Sequence, residues 1–214
     1  MQSKNIKQII TCPKCGKQHT MTVWTSLNSK TNPTENKQLI DGMLYRHKCL
    51  KCGYEVNIEI PSIYYNKKSE TMIAVIFPNQ VFTGISMLNA AIKEETMFKP
   101  SLKIRRRVVS SRNELTEKAL IFESGLDDRL VELVKFHTVQ SLGPGKDIEY
   151  MYFSIKNGIY MIETKVNGKI MEAEVNDAYK EVTDAYKHLL YEEDTEILVN
   201  AGWAREFVKK NTQK

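Results

Sequence analysis

The sequence predicts an α+β protein in two parts: a β-rich zinc ribbon module, then a helical pair, an antiparallel three-stranded meander and C-terminal helices. Two C-x-x-C motifs among short apolar segments predict the first part. Apolar residues at helical spacing and Asn-Gly pairs between alternating segments predict the second part. The predicted boundary gives domains of residues 1–105 and 106–214.

Two strands of the first part are predicted to end at prolines. Residues 56–60 (VNIEI) alternate in polarity and are followed by Pro61, and residues 71–77 (TMIAVIF) are rich in apolar and β-branched residues and are followed by Pro78. The insert between the cysteine motifs, residues 16–48, contains the polar segment TSLNSKTNPTENK, which is typical of turns.

One helix and a basic segment complete the first part. Residues 84–98 place Ile85, Leu88 and Ile92 on one helical face. Residues 99–111 (KPSLKIRRRVVSS) are basic and fit an extended connector or a short strand.

Two helices begin the second part. Ser111 and Glu114 have the spacing of a capping box, and Gly125 is typical of the residue that follows a helix. Residues 126–137 (LDDRLVELVKFH) carry an apolar stripe that predicts the second helix.

The meander and two further helices follow. The segments IEYMYFSI, IYMIETKV and KIMEAEV alternate in polarity, and Asn-Gly at 167–168 separates the last two. Helices are predicted over residues 177–192, capped by Asn176, and over 201–210, preceded by Asn200. Because the strands alternate, we expect the helices to cover only one face of the meander.

Composition is typical of a globular protein with a core, at 42% hydrophobic and 27% charged residues. No run of about 18 apolar residues predicts a membrane span, and the N-terminal residues lack the apolar region of a signal peptide. We therefore expect a cytoplasmic protein in a reducing environment, where C-x-x-C motifs bind metals more often than they form disulfides.

Charge is distributed unevenly along the chain. The net charge is +5, yet residues 1–110 carry 17 Lys and Arg against 7 Asp and Glu, while residues 111–214 carry 14 against 19. The first segment is therefore at +10 and the second at −5. Either the basic half meets an acidic partner, or the two halves attract each other.

The four cysteines predict one metal centre, with Cys12 and Cys15 from the first motif and Cys49 and Cys52 from the second. Zinc accepts four thiolates in a tetrahedron, and a site of four cysteines leaves no position for water or substrate. We therefore predict structural Zn²⁺. A rubredoxin-type iron centre and free cysteines without metal are the alternatives.

Two histidines lie close to the cysteine motifs in sequence. His19 follows the first motif and His47 precedes the second. Either side chain is able to replace a cysteine as a zinc ligand. With four cysteines present, we expect both histidines to be exposed or to lie beside the ligands.

Several segments together resemble the CpXC domain family over about residues 8–140: TCPKCGK, VWTSLN, DGMLYRHKCLKCGY and PSIYYN. The resemblance implies a zinc module on the four cysteines and implies no reaction. The second motif departs from the common pattern because Leu50 stands where the first motif has proline. We expect this change to reduce the stiffness of the turn without affecting ligation.

No catalytic or cofactor-binding residue is predicted, since the chain lacks the common nucleophile, phosphate-loop and dinucleotide motifs. Asp127, Asp128 and Glu132 form an acidic group at the start of a predicted helix. An enzyme with a carboxylate site there is one alternative. The simpler interpretation is a solvated helix face that pairs with Arg129 or with the basic half.

The densest basic run is Arg105, Arg106 and Arg107, and five aromatic residues lie in the same half: Trp24, Tyr45, Tyr54, Tyr64 and Tyr65. Basic side chains neutralise phosphates and aromatic rings stack on bases, so nucleic-acid binding is a further alternative. Our prediction is a zinc-stabilised, non-catalytic binding or scaffolding protein with a protein partner or self-association. Neither a membrane nor a small-molecule substrate is indicated.

Overall fold

The structure, a computed structural model, describes residues 1–77, 81–97, 99–191 and 194–212. The chain divides into two compact units, unit 1 (Met1–Ala119) and unit 2 (Leu120–Lys214). Six α-helices and three sheets lie in the described ranges. The predicted α+β class is therefore confirmed.

Unit 1 contains seven strands and two helices of its own: β1 (Lys4–Thr11), β2 (Gln18–Asn28), α1 (Pro33–Ile40), β3 (Arg46–Lys48), β4 (Glu55–Asn57), β5 (Ser62–Asn66), β6 (Thr71–Val75), α2 (Val81–Thr96) and β7 (Arg105–Val109). Helix α3 (Arg112–Glu123) crosses the division between the units. The boundary predicted between residues 105 and 106 falls inside β7, which pairs with β6 in unit 1.

Unit 2 continues with the following elements: α4 (Asp128–Leu142), β8 (Ile148–Lys156), β9 (Ile159–Val166), β10 (Lys169–Glu174), α5 (Asn176–Tyr186) and α6 (Ala201–Thr212). A short 3₁₀ turn, Lys187–Leu189, follows α5. The strand end predicted at Pro78 and the helix ends predicted at residues 98 and 192 lie outside the described residues. The helix predicted over residues 177–192 is nevertheless too long, because α5 ends at Tyr186 and Leu190 is extended.

Five strands of unit 1 form a mixed sheet in the order β1-β2-β5-β6-β7. The pairs β2–β5 and β6–β7 are parallel, and β1–β2 and β5–β6 are antiparallel. A parallel pair requires a long connection. Between β2 and β5 the chain forms α1 and a separate hairpin of β3 and β4, so the second cysteine motif lies in this connection.

The core of unit 1 lies around the central strands. All residues of β5 and β6 are buried, as expected for strands at the centre of a covered sheet. Helix α2 approaches this sheet at Gly84, where an added Cβ atom would lie 3.2 Å from the side chains of Ile76 and Val108. Glycine therefore permits the close packing of α2.

Arg112, at the start of α3, is a buried cation with 6% of its surface exposed. Its guanidinium donates hydrogen bonds to the carbonyls of Ile58 at 3.0 Å and Ile60 at 2.6 Å. It also donates to the Ser62 hydroxyl at 2.7 Å and lies 3.6 Å from the centre of the Tyr45 ring. Arg112 therefore anchors the segment between β4 and β5 to α3.

The predicted ends of α3 are confirmed, except that the Glu114 carboxylate accepts from Ser110 and not from Ser111. The Ser111 hydroxyl accepts from the Glu114 N–H at 3.1 Å, and the Glu114 carboxylate accepts from the Ser110 N–H at 2.7 Å. At the other end, Gly125 has φ +75° and its N–H donates to the Phe122 carbonyl at 3.1 Å. These are capping contacts of the kind that the sequence predicted.

The antiparallel meander of unit 2 is also confirmed, in the order β10-β9-β8. Asn167 has φ +48° and Gly168 φ +78°, as the predicted two-residue hairpin turn requires. Phe153 and Ile162 face each other across β8 and β9 and belong to a buried cluster that includes residues of α3, α4, α5 and α6. The helices thus cover one face of the sheet.

Three local predictions were wrong or incomplete. The polar insert contains helix α1, which begins with Pro33 at an N-terminal position where proline is tolerated. Strands β1, β2, β3 and β5 were not predicted individually. Asn176 does not cap α5, whose N-cap is Val175. Instead the Asn176 side chain accepts from the Tyr160 N–H at 2.6 Å.

No helix among residues 1–77, 81–97, 99–191 and 194–212 has both the length and the hydrophobicity needed to cross a membrane.

Replacing Arg112 with methionine should lower the free energy of unfolding of unit 1 by about 3 kcal/mol, because two carbonyls and a hydroxyl lose a buried donor. Arg112→Lys should restore only part of this loss, since an ammonium group lacks the planar fork of donors. Urea unfolding followed by circular dichroism measures both variants.

The control for Arg112 is Lys37→Met, which removes a cation whose side chain is 77% exposed and pairs with Asp41 on the surface. This change should alter the free energy of unfolding by less than about 0.5 kcal/mol. Equal losses in the two methionine variants would contradict the anchoring role of Arg112.

Candidate metal centre

Each cysteine motif forms the turn of a β-hairpin. The first turn joins β1 to β2, whose last pair is Thr11 with Gln18. The second turn joins β3 to β4, whose last pair is Lys48 with Glu55. The two turns come from different sheets. The strands of each hairpin therefore position the cysteines at its end.

In the first turn, two backbone hydrogen bonds hold the cysteines on one side. The Cys12 N–H donates to the Lys17 carbonyl at 2.9 Å, and the Gly16 N–H donates to the Cys12 carbonyl at 2.9 Å. Gly16 has φ +69°, a conformation that other residues rarely adopt. The positive φ at this position therefore favours glycine directly after the motif.

The second turn repeats this arrangement. The Cys49 N–H donates to the Tyr54 carbonyl and the Gly53 N–H to the Cys49 carbonyl, both at 2.8 Å. Gly53 has φ +70°. Leu50 occupies the position that proline has in the first motif. The second turn therefore forms the same two hydrogen bonds without a proline. The two motifs are therefore equivalent in backbone geometry.

The four cysteine sulfurs lie within 4.8 Å of one another. Two of the separations, both 3.6 Å, join Cys12 to Cys52 and Cys15 to Cys49, each across the two turns. Four sulfurs bound to zinc at about 2.3 Å in a regular tetrahedron would be about 3.8 Å apart. None of the four cysteines forms a disulfide, and the spacing of their sulfurs fits the coordination sphere of one metal ion.

The thiols of Cys49 and Cys52 differ in pKa although they belong to the same cluster. Burial raises the pKa of Cys49, but hydrogen bonds from the backbone N–H groups of Cys52 and Lys51 outweigh it, and the pKa falls to about 5. The Tyr54 N–H lowers the pKa of Cys52, but burial and the neighbouring thiols raise it to about 12. Adjacent thiolates repel each other, so a bound cation is needed to keep all four deprotonated.

His19 lies beside this cluster and next to His47. The Nε2 atom of His19 is 3.2 Å from the Cys49 sulfur, and the centroids of the two imidazole rings are 5.0 Å apart. Within the described ranges, the group of side chains close enough to share one ion here contains the four cysteines and neither histidine.

Comparison with known proteins identifies the family. The model of the family described as CpXC protein matches residues 10–135, which is more than half of the 214-residue chain. The chain belongs to the CpXC family. The match includes both cysteine motifs of this CpXC protein and ends within α4. Searches of the curated proteins and of the solved structures gave no match.

The acidic residues of the CpXC protein form a different group from the predicted one. Asp127 and Asp128 lie close to Asp194, while Glu132 is outside this group. Arg129 lies among them, with Nη2 2.7 Å from Asp127 and Nε 3.6 Å from Asp194. The Asp127 side chain also accepts from the Arg129 N–H at 3.0 Å as the N-cap of α4. The predicted pairing with Arg129 is therefore confirmed, but the helix face is not solvated, because Asp128 and Glu132 have only 0% and 4% of their surfaces exposed.

The basic run and the nearby aromatic residues of the CpXC protein do not form one exposed surface. Arg107 has no exposed area, and Arg105 and Arg106 are half-buried in β7. Among the aromatic residues, Tyr64 and Tyr65 are buried, with 1% and 0% of their surfaces exposed. Arg107, Tyr64 and Tyr65 are therefore not accessible to a nucleic acid.

Proposed function

We propose that this CpXC protein is a zinc-stabilised, non-catalytic module that binds or scaffolds a partner protein in the cytoplasm. The main support is the cluster of four cysteine sulfurs within 4.8 Å, supplied by two hairpin turns. Four thiolates are the ligand set of structural zinc sites, and they leave no coordination position for water or a substrate.

A structural role for the metal follows from the size of the second hairpin. Strands β3 and β4 have three residues each and form a sheet of their own. A two-stranded hairpin is marginally stable by itself. Ligands on both hairpins would connect this short element to the β1–β2 hairpin, so binding of the ion would contribute directly to folding.

The proposed reducing compartment is consistent with the chemistry of the site. Zinc requires deprotonated thiols, and an oxidising environment would convert neighbouring thiols to disulfides. The Cys12–Cys52 and Cys15–Cys49 sulfur distances of 3.6 Å are short enough for the ion to bridge both pairs. A rubredoxin-type iron centre has the same ligands, so metal analysis decides between the two ions.

We expect the purified protein to contain one zinc ion per chain, because the four thiolates form one closed site. Cys49→Ser should abolish stoichiometric zinc and expose β3–β4 to amide hydrogen exchange. The measurements are elemental analysis and exchange mass spectrometry, before and after treatment with a strong chelator.

Thr11→Ser provides the control for the cysteine variant, since Thr11 is exposed beside the first turn and offers no sulfur. It should retain the full zinc content. Wild-type protein that is free of metal would contradict the proposal, and stoichiometric iron would contradict the identity of the ion.

His19→Ala should weaken zinc binding by about tenfold or more, because the His19 N–H is placed to donate to the Cys49 thiolate and such contacts stabilise ligands. His19→Gln should restore part of the affinity, since its amide is also a donor. Competition with a chromogenic chelator measures the affinity. Cobalt substitution reports the ligand field in each variant.

The control for His19 is His188→Ala, which removes an exposed histidine of unit 2. Its zinc affinity should equal that of the wild type. If His19→Ala also keeps wild-type affinity and the same cobalt spectrum, the contact with Cys49 has no role in metal binding.

A further inference from the structure

We propose that the two cysteine turns together form a docking surface for an acidic segment of a partner protein that carries an apolar side chain. The turn surface consists of Pro13, Lys14, Lys17, Lys48, Leu50, Lys51 and Tyr54. This inference rests on the proposed function, because the metal would hold the two turns side by side.

All residues of the turn surface lie close in sequence to the four clustered cysteines. Each lies within two residues of one of the four cysteines, and the cysteine sulfurs are within 4.8 Å of one another. Lys14 and Lys51 occupy equivalent positions in the two motifs, directly before the second cysteine of each. The two turns therefore present matching residues next to the same cluster.

The turn surface carries uncompensated positive charge. Lys14, Lys17 and Lys51 are exposed, and none of them forms an ion pair with a carboxylate in the described part of the chain. Segments 11–18 and 46–57 contain a single acidic residue, Glu55.

Glu55 does not neutralise the turns. It lies 2.6 Å from Arg46 and 3.7 Å from Lys48, whose side chain stays 69% exposed. The Glu55 carboxylate is thus shared between Arg46 and Lys48, and it pairs with none of the three exposed lysines named above. An acidic partner complements this charge, which raises its association rate and excludes basic competitors.

An apolar contact lies among these cations. Leu50 is 90% exposed, the highest value among the large hydrophobic residues of the described ranges, and Tyr54 is 42% exposed. A single exposed leucine on a protein surface is common. Leu50, however, lies between Cys49 and Lys51 in a turn that is ordered by backbone hydrogen bonds. It offers an apolar anchor surrounded by charge, as binding interfaces commonly do.

This combination favours a protein segment over nucleic acid. A leucine gains nothing from contact with a phosphate backbone, whereas it buries area against an apolar side chain. Stacking of unpaired bases requires aromatic rings, and Tyr54 is the one aromatic residue of the turn surface. Because backbone hydrogen bonds already order both turns, docking would require little further loss of conformational entropy.

The test uses the full-length zinc-loaded protein and a fluorescent peptide of alternating glutamate and leucine. Binding is measured by anisotropy at two salt concentrations. A glutamate–serine peptide of equal charge and a thymidine oligonucleotide serve as comparison probes. We expect salt-dependent binding of the glutamate–leucine peptide, about tenfold tighter than the glutamate–serine peptide, and weaker binding of the oligonucleotide.

Two variants locate the site. The double substitution Lys14→Glu with Lys51→Glu should weaken binding of the glutamate–leucine peptide by at least about tenfold, and Leu50→Ser should remove the preference for leucine over serine. The matched control, Lys30→Glu with Lys99→Glu, reverses two exposed lysines of unit 1 outside the turns and should bind like the wild type.

The outcomes separate this inference from the proposed function. Zinc content is measured on every variant, and wild-type protein without zinc contradicts the proposed function itself. Zinc-loaded protein can still contradict the proposed docking surface in two ways. Either the lysine variant of the turns binds the glutamate–leucine peptide as tightly as the control variant does, or the wild type binds the glutamate–leucine and glutamate–serine peptides equally. Tighter binding of the oligonucleotide, lost in the turn variant, assigns the surface to nucleic acid and also overturns the inference.

Discussion

The arrangement of unit 1 depends on the meeting of four cysteine side chains from two separate hairpins. Neither hairpin has a core of its own at its turn, and the second is only three residues long on each side. At their turns the two hairpins bring four sulfurs within 4.8 Å of one another. A cation shared by four thiolates removes their mutual repulsion and converts this contact into a cross-link.

The fold supports this contact by its connectivity. The long parallel connection between β2 and β5 contains the β3–β4 hairpin, so the second motif returns to the end of the first hairpin. Arg112 fixes the exit of this connection through carbonyls at Ile58 and Ile60. An ion bound by all four thiolates would have a closed coordination sphere, and this closure is the basis of the proposed non-catalytic role.

The sequence predicted the parts of the molecule that depend on local signals. The meander follows from Asn-Gly turns and alternation, α3 from its caps, and the cysteine cluster from two C-x-x-C-G motifs. Pairings between distant segments were not predictable, because the sequence of a strand such as β2 does not indicate that its parallel partner is β5. The contacts of His19 with Cys49, and of Asp194 with Asp127, likewise depend on tertiary structure.

The most direct test of the metal cross-link is X-ray absorption spectroscopy at the zinc edge of the purified, full-length protein. The account predicts a single shell of four sulfur atoms at about 2.3 Å from the metal. A shell that contains nitrogen or oxygen in place of one or more sulfurs would show that the four cysteines do not jointly bind the ion, and would contradict the central claim.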